Sequence, residues 1–247
     1  MIGSADAAAP SPRTIVVLGD SLSAGYGLKL QEGWVHLLEQ RLAAQGYEYR
    51  VVNASVSGET TQGGVARLPR VLEVHKPAIV IVELGGNDGL RGLPLKASHE
   101  NLDRAIALAR KSHAEVVLVG MVIPPNYGPR YGQEFRDMFA TLAKQYKLAF
   151  VPFFLDKVAL APGLMQDDGI HPNAQGVAQI TANILPTVRK MLDGVPAPKV
   201  AMNRPFCCLL QSTNSRTFFD GTFCGLTSST KSAVTTWLTG TKSFTGS

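Results

Sequence analysis

Cysteine is scarce and confined to one end: Cys207, Cys208 and Cys224 all follow Asp193. Residues 1–192 therefore use neither disulfides nor cysteine-ligated metal. Two adjacent cysteines and a distant third do not match a zinc spacing. No apolar run approaches the roughly 20 residues of a membrane helix. The opening Met1–Thr14 lacks the basic start and apolar stretch of a secretory signal. Its Ala-, Ser- and Pro-rich composition reads as a flexible leader over 1–13, or as the remnant of a removed signal. Concentrated basic charge is also missing. Of the formal +5, residues 193–247 hold +3 (Lys199, Arg204, Arg216, Lys231 and Lys242 against Asp193 and Asp220), leaving +2 for residues 1–192. No basic run is interleaved with aromatics, which argues against a nucleic-acid partner. Histidines number five, and His36, His75, His99 and His113 do not pair at metal-ligand spacing, so no metal is expected.

What is present is an alternation. Short, β-branched, nearly continuous apolar runs occur at Thr14–Leu18, Tyr49–Asn53, Ala78–Leu84, Glu115–Met121 and Leu148–Pro152. Such runs suit strands buried on both faces. Segments of helical period lie between them over Gly33–Gln45, Lys96–Ser112 and Gln133–Lys147, with Asn173–Leu192 as the last helix. Gly46 suits the exit of the first. The pattern predicts an α/β fold over residues 14–192: a five-stranded parallel sheet covered by helices on both sides, a three-layer α/β/α sandwich. After Leu192 the periodicity stops. From Gln211 on, 17 of 37 residues are Ser or Thr, a composition that points to an ill-ordered or non-native tail over 193–247 rather than a second packed domain.

Four short motifs follow in order: Gly19-Asp20-Ser21-Leu22-Ser23, Ser57-Gly58-Glu59-Thr60, Gly85-Gly86-Asn87-Asp88 and Asp168-Gly169-Ile170-His171-Pro172. The first three follow the first three expected strands and the fourth follows the fifth. All four thus fall where parallel α/β sheets bind ligands, beyond the carboxyl ends of the strands. Ser21 can be a nucleophile or merely cap a helix. Its surroundings read Gly-x-Ser-x-Ser rather than Gly-x-Ser-x-Gly, so the usual nucleophile elbow is not indicated. Neither a Gly-Lys-Ser/Thr nor a Gly-x-Gly-x-x-Gly pattern follows the strand, so nucleotide binding fits poorly. His171 can be a base and Asp168, three residues earlier, its orienting carboxylate; alternatively His171 is a loop histidine beside a helix start. Asn87 can donate a neutral hydrogen bond to a developing oxyanion or simply shape an Asn-Asp turn, a role also open to Asp88. Gly58 offers an unobstructed N–H or is an ordinary loop glycine.

Taken together, the motifs resemble blocks I, II, III and V of the SGNH hydrolases, the GDSL esterases and lipases. The stretches Leu18–Tyr26, Val82–Gly92 and Met165–Asn173 are especially similar to those of the bacterial multifunctional thioesterases and lysophospholipases of that family. The likeness spans about Thr14 to Leu192. It implies a flavodoxin-like sheet order, with Ser21 as nucleophile, Asp168 and His171 completing a triad, and an oxyanion hole of Ser21 N–H, Gly58 N–H and the Asn87 side chain. It also implies no cofactor, an exported (periplasmic or secreted) setting, and an acyl groove bordered by Gly89–Pro94 and Ile123–Tyr131.

The expected activity is hydrolysis of carboxylic esters and acyl thioesters through an acyl-enzyme on Ser21, including aryl esters, fatty acyl thioesters and lysophospholipids. The partners expected are small-molecule acyl substrates met by a monomer without an integral membrane segment. Two other readings stand beside it. A non-catalytic acyl-chain binder would have no need of a base–orienter pair. A carbohydrate O-acetylesterase would favour aromatic, polar clefts over the apolar Met121-Val122-Ile123-Pro124-Pro125 loop.

Overall fold

The computed structural model describes residues 13–194. The expected leader and tail, with Cys207, Cys208 and Cys224, lie outside the described residues apart from Arg13, Asp193 and Gly194, which belong to regular elements.

The five expected strands form: β1 (Arg13–Gly19), β2 (Tyr49–Asn53), β3 (Ile79–Glu83), β4 (Glu115–Val119) and β5 (Ala149–Val151). They pair in parallel in the order β2-β1-β3-β4-β5. Ile15 to Leu18 and Ile79 to Val82 are essentially inaccessible to solvent, as central strands covered on both faces require. Each such side chain contributes about 1.5–3 kcal/mol relative to exposure. The helices are α1 (Ser21–Ala24), α2 (Trp34–Ala43), α3 (Thr61–His75), α4 (Gly86–Leu90), α5 (Leu95–Lys111), α6 (Pro129–Tyr146) and α7 (Ala174–Gly194). One layer is α2 against α7; the other is α3, α5 and α6 side by side. This is the expected three-layer sandwich. No helix among the described residues is long and apolar enough to cross a membrane.

The chain leaves α2 through a Schellman turn. Gly46, at φ 83°, donates its N–H to Ala43 O, and Tyr47 donates to Leu42 O. The sequence pattern does not mark α3, whose Gly63, Gly64 and Pro69 read locally as breakers. Packing supplies the reason for Gly64. A Cβ there would stand 2.3 Å from Leu84 Cδ1, so the helix approaches the end of β3 only because that side chain is missing. Thr60 caps α3 by accepting the Gly63 N–H at 3.3 Å.

In the order 2-1-3-4-5 the winding direction reverses between β1 and β3, and ligands bind at such a switch point. β1 ends at Gly19 and β3 at Glu83, side by side in register. The loops carrying Ser21 and Asn87 therefore leave the sheet as neighbours.

Candidate active site

Ser21 opens α1 directly after β1. Asp20 is the cap, and its Oδ1 accepts the Leu22 N–H at 3.0 Å. His171 comes from the loop before α7, 150 residues later, and its Nε2 stands 2.8 Å from Ser21 Oγ. Behind it, His171 Nδ1 stands 2.6 Å from Asp168 Oδ2. The other oxygen, Asp168 Oδ1, accepts the backbone N–H groups of Ile170 and His171, both at 2.9 Å. Those backbone bonds, first that from His171, together with the imidazole lower the Asp168 carboxyl to about 2. It is an ionised acceptor aimed at one imidazole nitrogen. The remaining nitrogen is directed at the serine hydroxyl.

The loop is itself anchored. Met165 pairs with Pro172 across a small antiparallel bridge, and Gln166 N–H donates to His171 O at 2.7 Å. Gln166 Nε2 donates to Tyr26 O at 2.8 Å, so the histidine loop is tied to the segment following the nucleophile. The Tyr26 ring lies 4.6 Å from the imidazole, centroid to centroid.

The remaining expected residues lie around Ser21. Asn87 sits in α4, and its Nδ2 donates to Asp20 Oδ2 at 3.1 Å and to Glu59 O at 3.0 Å. Gly58, at φ 78°, adopts a backbone that side chains disfavour, and Arg91 Nη2 donates to its carbonyl at 3.1 Å. Neither Ser21 N–H nor Gly58 N–H has an acceptor among the described residues. Motifs from four loops thus meet at one edge of the sheet. Tyr127 Oη donates to Leu90 O at 2.6 Å and Tyr131 Oη to Leu93 O at 3.2 Å, which joins the two loops expected to border the acyl groove.

Three acidic groups carry more of the site than their sequence context suggests. Asp88 does more than shape a turn: buried, it accepts Thr61 N–H at 2.9 Å, Thr61 Oγ1 at 2.5 Å and Ser98 Oγ at 3.1 Å, fastening α3 and α5 to α4. Glu83 ends β3 and is wholly buried. Its Oε2 accepts from Ser23 Oγ and lies 3.4 Å from the Asp20 N–H, while Oε1 has no partner among the described residues. Trp34 Nε1 donates to Ser23 Oγ at 3.2 Å. Burial, reinforced by the neighbouring Asp20, pushes Glu83 well above the usual carboxylate range. Asp20 is 2% exposed, and burial raises it to about 6. One signal in the sequence points to Glu83: it is an acid inside an otherwise apolar strand run.

This geometry has relatives. Residues 17–179 match the model of the GDSL-like lipase/acylhydrolase family. The chain is 49% identical to the esterase TesA of Pseudomonas aeruginosa over 180 residues, 73% of this chain and 90% of that one. It is 44% identical to thioesterase 1/protease 1/lysophospholipase L1 of Escherichia coli K12 over 160 residues, 65% of this chain and 76% of that one. A crystal structure of TesA superposes with a TM-score of 0.71 at 49% identity, covering 72% of this chain and 99% of that one. A family model matched over most of the chain, and near-half identity to an esterase across the same fold, agree with the motif order. The chain belongs to the GDSL-like lipase/acylhydrolase family, the SGNH serine esterases.

Proposed function

We propose that this serine esterase works through Ser21, His171 and Asp168, with Ser21 N–H, Gly58 N–H and the Asn87 amide as its oxyanion hole. Ser21 Oγ bonds to the substrate carbonyl carbon while His171 Nε2 takes the hydroxyl proton. Asp168 remains ionised and stabilises the imidazolium. The carbonyl oxygen becomes an alkoxide, met by the three N–H donors. Collapse of this intermediate breaks the C–O or C–S bond. His171 returns the proton to the leaving group where it needs one. Water then attacks the acyl-enzyme, giving its proton to His171, and the acid departs as Ser21 Oγ recovers a proton.

The observation that carries this reading is the unbroken line Ser21 Oγ–His171 Nε2, His171 Nδ1–Asp168 Oδ2, at 2.8 and 2.6 Å. A pure acyl-chain binder would need no such line. The substrates proposed are carboxylic esters and acyl thioesters: aryl esters, fatty acyl thioesters and lysophospholipids. The apolar run Met121-Val122-Ile123-Pro124-Pro125, which leads into the Tyr127–Tyr131 loop, supports an acyl chain better than a sugar. A monomer in an exported setting completes the proposal, which gel filtration and cell fractionation test.

The deciding assay is hydrolysis of p-nitrophenyl butyrate, p-nitrophenyl decanoate and a decanoyl thioester by the unmodified chain and by Ser21→Ala. Activity on all three, lost in a folded Ser21→Ala variant, is expected. Undiminished turnover by that variant would remove Ser21 from the mechanism.

A further inference from the structure

Asn87 has two amide hydrogens, and both are occupied. One is held by Asp20 Oδ2 at 3.1 Å and the other by the Glu59 carbonyl at 3.0 Å. An oxyanion can receive a hydrogen bond from this amide only if one of these acceptors yields or shares. The two are not equal. A carboxylate holds an N–H donor more strongly than a neutral carbonyl does. Glu59 O also lies in the loop beside Gly58, on the side where the other free donor is found.

Asp20 is built to hold its position. Its Oδ1 is fixed by the Leu22 N–H at 3.0 Å, and its own N–H faces Glu83 Oε2 at 3.4 Å. A Cβ on Gly86 would stand 3.2 Å from Asp20 Oδ2, so the carboxylate lies against the backbone of the Asn87 turn. One side chain thereby spans the nucleophile turn and the amide of α4.

We propose that Asp20 is a positioning residue for the reaction: its Oδ2 holds the Asn87 amide so that the second hydrogen, now on Glu59 O, is presented to the oxyanion. This rests on the reading of Asn87 as an oxyanion donor. Burial has kept the Asp20 carboxyl close to its limit for ionisation, raised to about 6, and its bonds from Leu22 and Asn87 oppose that rise. The bond the proposal requires is the one from the Asn87 amide to Asp20 Oδ2 at 3.1 Å.

Asp20→Asn separates positioning from capping. Asn keeps a carbonyl oxygen for the Leu22 N–H and is itself a good helix cap. Its amide would face the Asn87 amide donor to donor, or force Asn87 to turn over. Asp20→Ser keeps a cap but cannot reach Asn87. The experiment measures kcat and KM on p-nitrophenyl butyrate, with thermal unfolding, for Asp20→Asn, Asp20→Ser, Asn87→Ala and Asp20→Asn/Asn87→Ala.

Misplacing a catalytic group by an ångström can cost about 10²-fold, and losing an oxyanion donor roughly 10²–10³. Asp20→Asn should therefore lower kcat between about tenfold and 10²-fold with KM nearly unchanged, and the double variant should be no slower than Asn87→Ala alone. Wild-type kcat in Asp20→Asn, or losses that multiply in the double variant, would overturn the proposal, since residues acting through one another are non-additive. Failure of both Asp20 variants to fold would make Asp20 a determinant of the fold and overturn it equally. Near-normal kcat in folded Asn87→Ala would instead strike down the oxyanion reading beneath it.

Discussion

Asp168 grips His171 at two points: Oδ1 accepts its backbone N–H at 2.9 Å, and Oδ2 stands 2.6 Å from its ring Nδ1. The same carboxylate therefore sets the height of the loop and the rotation of the imidazole. Asp168→Asn exchanges an acceptor for an amide donor at one of those contacts. It should leave the fold intact and lower kcat by on the order of 10³–10⁴, because the imidazole loses the tautomer that accepts the Ser21 proton. Steady-state turnover with a circular dichroism spectrum checks this; a loss of less than tenfold would make the pair structural only.

The lowered Asp168 pKa also predicts a pH dependence of stability. Its carboxyl lies near 2 when folded and at 3.8 in the reference state. A depressed carboxyl contributes stability above the unfolded value and loses it as pH falls through the folded one. The stability difference between wild type and Asp168→Asn should therefore be constant above about pH 5 and shrink between about pH 4 and 2. Because Asp168 is partly exposed, the effect should be modest and reduced by salt. Urea unfolding at pH 6 and pH 3 tests it, and a difference that grows on acidification would contradict the assignment.

Glu83 should tolerate loss of its acidity but not loss of its polarity. Its pKa is raised by burial first and by Asp20 second. A raised carboxyl works in the opposite sense: the folded state binds the proton more tightly, so stability declines as pH rises above the unfolded value near 4.5. Glu83→Gln should keep activity of the same order, and its melting temperature relative to wild type should be higher at pH 8 than at pH 5. Glu83→Leu should destabilise by about 1–3 kcal/mol for each polar partner it strands, the partners here being Ser23 Oγ and the Asp20 N–H. Inactivity of a folded Glu83→Gln would show that a charged carboxylate is needed there.

Gly19 is required by space. A Cβ there would stand 2.5 Å from Ser23 Oγ, 2.6 Å from Glu83 Oε2 and 2.7 Å from Ser23 Cβ. Gly19→Ala should destabilise by about 1–3 kcal/mol, as overpacking does. It should also slow turnover, because the displaced Ser23 shares α1 with Ser21. Thermal unfolding and kcat together test this; an unchanged melting temperature would show that the turn can yield.

Local sequence is enough for the strands and for the chemical inventory. The runs at Ile15–Leu18, Ile79–Val82 and Val116–Val119 are continuous and apolar because both faces of a central strand are covered, and that requirement is written residue by residue. Ser21, Gly58, Asn87, Asp168 and His171 are likewise legible, since each stands in a short motif at the end of a strand or before a helix. The helix α3 is not legible. Gly63, Gly64 and Pro69 weaken its local signal, and only the approach to Leu84 shows why Gly64 belongs in a helix. The same holds for the carboxyls beneath the nucleophile. In the sequence Asp20 and Glu83 stand 63 residues apart, and although Glu83 is marked as an acid in an apolar run, nothing local pairs it with Asp20. The parallel pairing of β1 with β3 brings them together in a dry interior. There desolvation raises both pKa values and leaves the Asp20 oxygens to the Leu22 and Asn87 N–H groups. Residue type and spacing determined which groups this protein has for acyl transfer. Which of its acids lie in a dry interior, and which acceptors hold the Asn87 amide, was decided by burial and cross-strand contact, because both depend on neighbours that no local stretch of sequence contains.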